Sequence, residues 1–177
     1  MSRSETMRLF FAVNFSEEIV ARLAVLRDTL GASAAGGRFT KTEQFHLTLA
    51  FLGERDQMEL EKAMAVLDAL SIPPMKLSID RLGRFRRNDG DIWWAGVQKN
   101  DALLALQRDL TAALRSAGFS LENRPYTPHI TLGRRVVTEI APWQISPFGE
   151  IASSVELMVS ERIQGQLTYR IIRGNPK

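Results

Sequence analysis

The stretches Phe45-His46-Leu47-Thr48-Leu49-Ala50-Phe51-Leu52 and His129-Ile130-Thr131-Leu132-Gly133-Arg134 decide how this chain is read. They hold its only two histidines, and each histidine opens the same phrase, His-apolar-Thr-Leu, 129 − 46 = 83 positions apart. The chain has ten Thr and 21 Leu in 177 residues. At those frequencies, both histidines being followed by x-Thr-Leu by chance is on the order of 10⁻⁵–10⁻⁴, a low false-positive risk for a short motif. Side chains on a strand alternate faces. His46, Thr48 and Ala50 are therefore expected on one face, and Leu47, Leu49 and Phe51 on the other. Likewise His129, Thr131 and Gly133 oppose Ile130 and Leu132. The leucine face packs inward, and the His/Thr face opens to a cleft.

Along one strand, His and Thr stand roughly 6.6 Å apart. Two such strands facing each other present two imidazoles and two hydroxyls around one small group, and a phosphate fits that description. The hydroxyls of Thr48 and Thr131 can donate to its non-bridging oxygens while the imidazoles serve the attacking and leaving oxygens. An unperturbed imidazole titrates near 6.5, so both protonation forms are available close to neutrality. In-line displacement needs a base on the entering hydroxyl and an acid on the departing one, each worth typically 10²–10⁴ in rate. Two histidines without cysteine or an evident carboxylate set make a poor zinc site, so neither metal nor cofactor is expected.

The flanking sequence supplies a frame. Leu9 to Phe15 reads as a buried strand, followed by Ser16 as N-cap and a helix stripe Ile19, Leu23, Leu26 and Leu30 that Gly31 can stop. Residues 32–44 are small and polar and read as a loop. Asp56 and Glu59 resemble a capping box ahead of Leu60, Ala63, Leu67 and Leu70. Met75 to Leu82 alternates as a strand, and Asn88-Asp89-Gly90 should turn it into a hairpin with Ile92 to Val97. Asn100 can cap a third helix with Leu103, Leu106, Leu110 and Leu114 inward and Gly118 at its end. Pro142 and Pro147 mark a loop, and two late strands near 152–160 and 167–173 flank Gln164-Gly165.

The offset of 83 extends beyond the motifs. Phe10-Phe11-Ala12 aligns with Trp93-Trp94-Ala95, Leu23 with Leu106, and Ser33-Ala34 with Ser116-Ala117, without a gap. The order of elements agrees too: aromatic strand, helix, loop, motif strand. The expectation is an α+β fold in one domain over residues 1–177, with two lobes of antiparallel sheet plus helices related by a pseudo-two-fold axis around a central cleft. Within each aromatic pair, one ring must face the cleft side.

Composition is ordinary for a globular protein, 45% hydrophobic and 24% charged. No apolar run approaches the ~18 residues of a membrane span. The opening Met1-Ser2-Arg3-Ser4-Glu5-Thr6 has no apolar signal region, and with no cysteine the chain is expected in the cytoplasm. Of 23 basic residues 18 are arginine, and Arg81, Arg84, Arg86 and Arg87 crowd one segment read as a basic loop facing a polyanion.

At its motifs the chain resembles the 2H phosphoesterase superfamily, and more narrowly the bacterial RNA 2′,3′-cyclic phosphodiesterases, also called 2′-5′ RNA ligases. The likeness covers Arg8-Leu9-Phe10-Phe11-Ala12, then Phe45 to Glu54, then Asn123-Arg124-Pro125-Tyr126-Thr127-Pro128-His129 to Arg134. It implies metal-free opening of an RNA 2′,3′-cyclic phosphate to a 2′-phosphate, with reverse joining to a 5′-hydroxyl. It implies His46 as proton donor, His129 as proton acceptor, Thr48 and Thr131 as phosphate holders and Arg134 as their helper. The implied partner is an RNA with a cyclic phosphate end, such as a tRNA half, met by a monomer. Two alternatives stand beside it: a phosphodiesterase for 2′-5′ oligoadenylate or a small cyclic nucleotide, and a non-catalytic module that binds RNA ends.

Overall fold

The computed structural model describes residues 5–176. Met1 to Ser4, on which the expectation about export partly rests, lie outside the described residues, as does Lys177. The elements run β1 (Met7–Val13), α1 (Glu17–Ala32), β2 (Ala34–Phe39), β3 (Leu47–Arg55), α2 (Gln57–Ala69), β4 (Met75–Phe85), β5 (Asp91–Val97), α3 (Asp101–Ser116), β6 (His129–Thr138), β7 (Trp143–Ala152), β8 (Val155–Ile163) and β9 (Gln166–Asn175). Among the described residues no helix is long and apolar enough to cross a membrane.

Local chemistry starts the helices where the sequence places the caps. The Ser16 hydroxyl accepts from Ile19 N–H, and the Asn100 side chain accepts from Leu103 N–H. Asp56 and Glu59 form the reciprocal capping box, with Glu59 N–H donating to Asp56 at 2.9 Å and Asp56 N–H to Glu59 at 3.2 Å. All four stripe leucines of α3 are buried.

Two antiparallel sheets result, ordered β3-β1-β8-β9 and β2-β6-β5-β4-β7. Laid side by side, β3-β1-β8-β9 matches β6-β5-β4-β7, with β2 added beyond β6. This is the pseudo-two-fold relation. The sequence did not disclose that the helices change sides. Helix α1 leaves β1 of the four-stranded sheet but packs on β2, β6 and β7; α3 leaves β5 of the five-stranded sheet but packs on α2 and β3. The exchange is pinned at its start, where Glu150 of β7 accepts from both the amide and the hydroxyl of Ser16. Buried side chains of both sheets and all three helices therefore form one cluster, which includes Leu23, Leu47, Leu110 and Leu132 at 0% exposure.

Three expectations need correction. Residues 34–39, read as loop, form β2, because Ala34-Ala35-Gly36-Gly37-Arg38-Phe39 borrows its regularity from pairing with β6. Pro147, read as loop, lies inside β7, an edge strand that does not need every N–H. Finally, the gap-free offset of 83 fails outside the motifs. Thr48 pairs with Ala12 and Thr131 with Trp94, an offset of 94 − 12 = 82 in the first strands. The caps Ser16 and Asn100 are 100 − 16 = 84 apart. A one-residue slip turns a side chain to the opposite face. Phe10 and Trp94 accordingly face the cleft, while Phe11 and Trp93 are buried in the main core.

The exchanged helices predict a single cooperative unfolding transition. Leu23→Ala removes a fully buried side chain of α1 and should lower the stability of the whole chain by about 2–5 kcal/mol. Two separate transitions in a urea titration followed by tryptophan fluorescence and circular dichroism would show lobes that stand independently.

Candidate active site

His46 lies just before β3, and His129 opens β6. Behind them, Leu47, Leu49, Ile130 and Leu132 are buried at 0–2% exposure, so the imidazoles and threonines take the other face. The alternation expected beyond Thr48 is broken. Phe11 pairs with Ala50 and Ala12 with Thr48, so Leu49 is an extra, bulged residue. The bulge sends Ala50 into the core and brings Phe51 beside Phe10, half exposed under the Arg8 guanidinium at 5.1 Å.

Each imidazole is seated against an aromatic pair. The His46 ring lies 5.0 Å from Phe10 and 5.3 Å from Tyr169. The His129 ring lies 5.1 Å from Phe85 and 6.0 Å from Trp94. Gly83 makes room for Trp94: a Cβ there would stand 2.3 Å from the indole.

The orientation of both rings is fixed in the same way. His46 Nδ1 donates to the Gln44 carbonyl at 2.7 Å, and His129 Nδ1 donates to the Thr127 carbonyl at 2.6 Å. A carbonyl only accepts, so Nδ1 carries the proton in each ring and Nε2 is left for chemistry. His46 Nε2 lies 3.0 Å from the Thr48 hydroxyl, which donates to it when the ring is neutral.

Burial is the main influence lowering both imidazoles below 6.5, and the carbonyl bonds oppose it. The Arg134 guanidinium lowers both rings further, and His129 acts on His46. The exposed Arg134 also acts on Tyr169, so one cation serves both halves of the cleft. The structure thus gathers His46, Thr48, His129 and Arg134. Thr131 stands on the cleft face of β6 opposite Trp94, half-buried.

Four contributors were not read from the sequence. Phe85 and Tyr169 back the imidazoles. Tyr126 donates its hydroxyl to the Thr48 carbonyl at 2.7 Å, and Gln107 of α3 donates to the Leu49 carbonyl at 3.3 Å. Burial raises the Tyr126 phenol, which keeps it a donor. These bonds hold the outer edge of β3 from α3 and from the segment leading into the second motif. Tyr126, two residues from Pro128 in an otherwise polar approach, was the one available signal.

The basic segment is not a free loop. Arg81 and Arg84 lie in β4. Arg84 donates to the Ile140 carbonyl, lies 3.9 Å from Asp91 and stacks 5.6 Å over Trp93. Arg81 pairs with Asp80 and lies 5.7 Å over Trp94 on the cleft side. Arg86 and Arg87 remain at the turn, Arg87 near Phe85. Among the described residues no three His, Cys, Asp or Glu side chains gather as a metal-holding group.

A family model described as the 2′-5′ RNA ligase superfamily matches residues 13–160. An RNA 2′,3′-cyclic phosphodiesterase of Escherichia coli is 37% identical over 133 residues, 74% of this chain and 73% of that one. A protein of the same name from Geobacillus stearothermophilus is 37% identical over 139 residues, 76% of this chain but 44% of its own length. The crystal structure of E. coli LigT complexed with 3′-AMP superposes with a TM-score of 0.84 at 26% identity, covering 96% of this chain and 97% of that one.

The fixed Nδ1–H tautomers are open to nitrogen-detected NMR. Both rings should show the Nδ1-protonated neutral form and titrate with midpoints below 6.5 in the free protein, as burial and Arg134 require. An Nε2-protonated ring, or a midpoint above 6.5, would contradict the geometry.

Proposed function

The chain belongs to the 2′-5′ RNA ligase superfamily, and from that premise we propose that it opens RNA 2′,3′-cyclic phosphate ends to 2′-phosphates without a metal. The observation that carries this is the matched pair of Nδ1–carbonyl bonds, which turn both Nε2 atoms to the cleft side, that of His46 bonded only to the Thr48 hydroxyl.

In the proposed reaction His129 Nε2 takes a proton from water as the oxygen attacks phosphorus. The bond from phosphorus to the 3′ oxygen breaks, and that oxygen takes the proton of His46 Nε2. The 2′ oxygen keeps the phosphate. Thr48 and Thr131 donate to the non-bridging oxygens, and Arg134 offsets charge that grows there in the transition state. The two imidazoles end with protons exchanged and re-equilibrate with solvent. A 5′-hydroxyl in place of water gives the reverse joining, a 2′-5′ linkage. Ring strain in the cyclic phosphate and the concentration of water favour hydrolysis. The same proposal has a monomer acting in the cytoplasm on RNA ends such as tRNA halves, with Arg81, Arg86 and Arg87 as the cationic approach.

The decisive experiment incubates the protein and a chelator with an oligonucleotide ending in a 2′,3′-cyclic phosphate. The expected product carries a 2′-phosphate, and His46→Ala or His129→Ala should each cost on the order of 10²-fold or more. No turnover, a 3′-phosphate product, or activity lost with the chelator alone would refute the proposal.

The pH profile follows from the lowered imidazoles. Activity needs one ring neutral and one charged, a state that lies between the two apparent pKa values of the pair. Both are displaced downward, so kcat/KM should be bell-shaped with its maximum below pH 6.5. A profile that keeps rising above pH 8 would exclude a protonated imidazole as the acid.

If Arg86 and Arg87 meet backbone phosphates, replacing both by Gln should weaken oligonucleotide binding. It should also flatten the slope of log K against log salt by about 1 per lost contact. An unchanged slope would leave those arginines as solvated surface.

A further inference from the structure

Across the four-stranded sheet one row of paired residues runs Thr48, Ala12, Glu156 and Gly174. Glu156 stands on the cleft face of this row. Its chain neighbours Val155 and Leu157 are fully buried in the main core, whereas Met158, two residues on, lies in the small cluster with Phe10 and Ala12 beneath His46. The floor there is otherwise apolar or aromatic: Phe10, Ala12, Met158 and Tyr169. The row partners flanking Glu156 are alanine and glycine, so no large side chain covers it from either strand. A Cβ at Gly174 would come no nearer than 3.8 Å to Glu156 Cγ.

One oxygen of this carboxyl, Oε2, is buried without a hydrogen-bond partner. Such atoms are few in native proteins. Burial raises the Glu156 carboxyl, and a hydrogen bond from the Asn14 side chain opposes that only in part. Asn14 Nδ2 itself points at the Met158 sulfur, a weak acceptor, at 3.5 Å. A carboxyl with one unpartnered oxygen and the amide that bonds to it thus share this part of the cleft. The proton transfers proposed above need neither. Glu156 lies two strand spacings, roughly 10 Å, from Thr48 along the row. That is about the reach from a nucleotide's phosphate to the far edge of its own base.

We propose that Glu156, with Asn14 beside it, reads the base of the nucleotide whose phosphate sits between the two His-x-Thr motifs, and that this base is guanine. The inference rests on the proposed function insofar as a nucleotide phosphate occupies the His-Thr site. A carboxylate has acceptors only. The Watson–Crick edge of guanine presents N1–H and the N2 amine side by side, one donor for each carboxylate oxygen. Adenine and cytosine set one amine beside a ring nitrogen lone pair, which would face a carboxylate oxygen. Uracil sets its single N–H between two carbonyls. The Tyr169 ring, half-buried beside this floor, supplies an aromatic wall for the base.

The test is equilibrium binding of the four nucleoside 2′-monophosphates to the full-length protein by calorimetry, repeated on Glu156→Gln. The wild type should favour guanosine 2′-monophosphate by about tenfold or more, the margin expected of a paired base-edge contact. Glu156→Gln should lose most of that margin while binding the other three as before, because the phosphate is held elsewhere. Glu156→Ala should repeat the loss, and melting curves confirm that both variants fold. No guanine preference, a preference for another base, or a preference that survives both substitutions overturns the inference. Turnover of guanosine and uridine 2′,3′-cyclic phosphates separates the two claims. Selective binding without turnover of either removes the catalytic proposal and leaves the base reading standing. Turnover of both at equal efficiency, with equal binding, does the converse.

Discussion

The period of two along β3 and β6 is the constraint on which the rest depends. Leu47 and Leu49, like Ile130 and Leu132, are held in the core at 0–2% exposure. While they stay there, His46, Thr48, His129 and Thr131 have only the cleft to face. A slip by one residue would place an imidazole in the core and a leucine in the cleft, and would lose hydrophobic burial at several positions together. The bulge at Leu49 comes immediately after Thr48. The alternation is therefore kept through the His-x-Thr phrase and released once the phrase is complete, which lets Phe51 join the cleft side.

Holding two such strands in register with each other is a second problem, and the helix exchange meets it. Because α1 packs on the five-stranded sheet and α3 beside β3, the lobes cannot part without exposing Leu23, Leu110 and their neighbours. Hydrogen bonds finish what packing begins. The Tyr126 hydroxyl, three residues before His129, holds the carbonyl of Thr48. The geometry of one motif is thus set in part by the approach to the other. Such support from residues outside the reacting set is what keeps a site close to its productive arrangement.

The sequence made local features legible. The caps at Ser16, Asp56 and Asn100, the leucine stripe of α3 and the alternation of the motif strands all follow from neighbours within a few residues. What it hid was set by distant partners. Strand β2 has a loop's composition and exists because β6 pairs with it. Pro147 signals a break everywhere except on an edge strand, and the sequence does not say which strands are edges. The repeat was visible, but its offset of 82, 84 or 83 depends on loop lengths that a gap-free alignment averages away. The motif residues were legible because the repeat singled them out. Phe85, Tyr169 and Tyr126 were not, since an aromatic residue in a strand or loop reads first as core, and the partner of Tyr126 lies 78 positions away.

A duplicated motif supplies two equal imidazoles, whereas acid–base displacement needs two unequal ones. The inequality lies in what surrounds each copy. His46 Nε2 is engaged by the Thr48 hydroxyl, and the residue opposite Thr48 is the small Ala12; the residue opposite Thr131 is the bulky Trp94. Both rings are depressed by burial and by Arg134, which at first favours two bases and no acid. An arriving phosphate reverses this at His46 on the proposed reading. Its negative charge offsets Arg134, and its oxygens draw the Thr48 hydroxyl away from Nε2. A ring that has lost a donor and gained an anionic neighbour binds a proton more tightly. On that reading the acid is charged by its substrate, and a site that rests with two neutral imidazoles becomes competent when the cyclic phosphate is present.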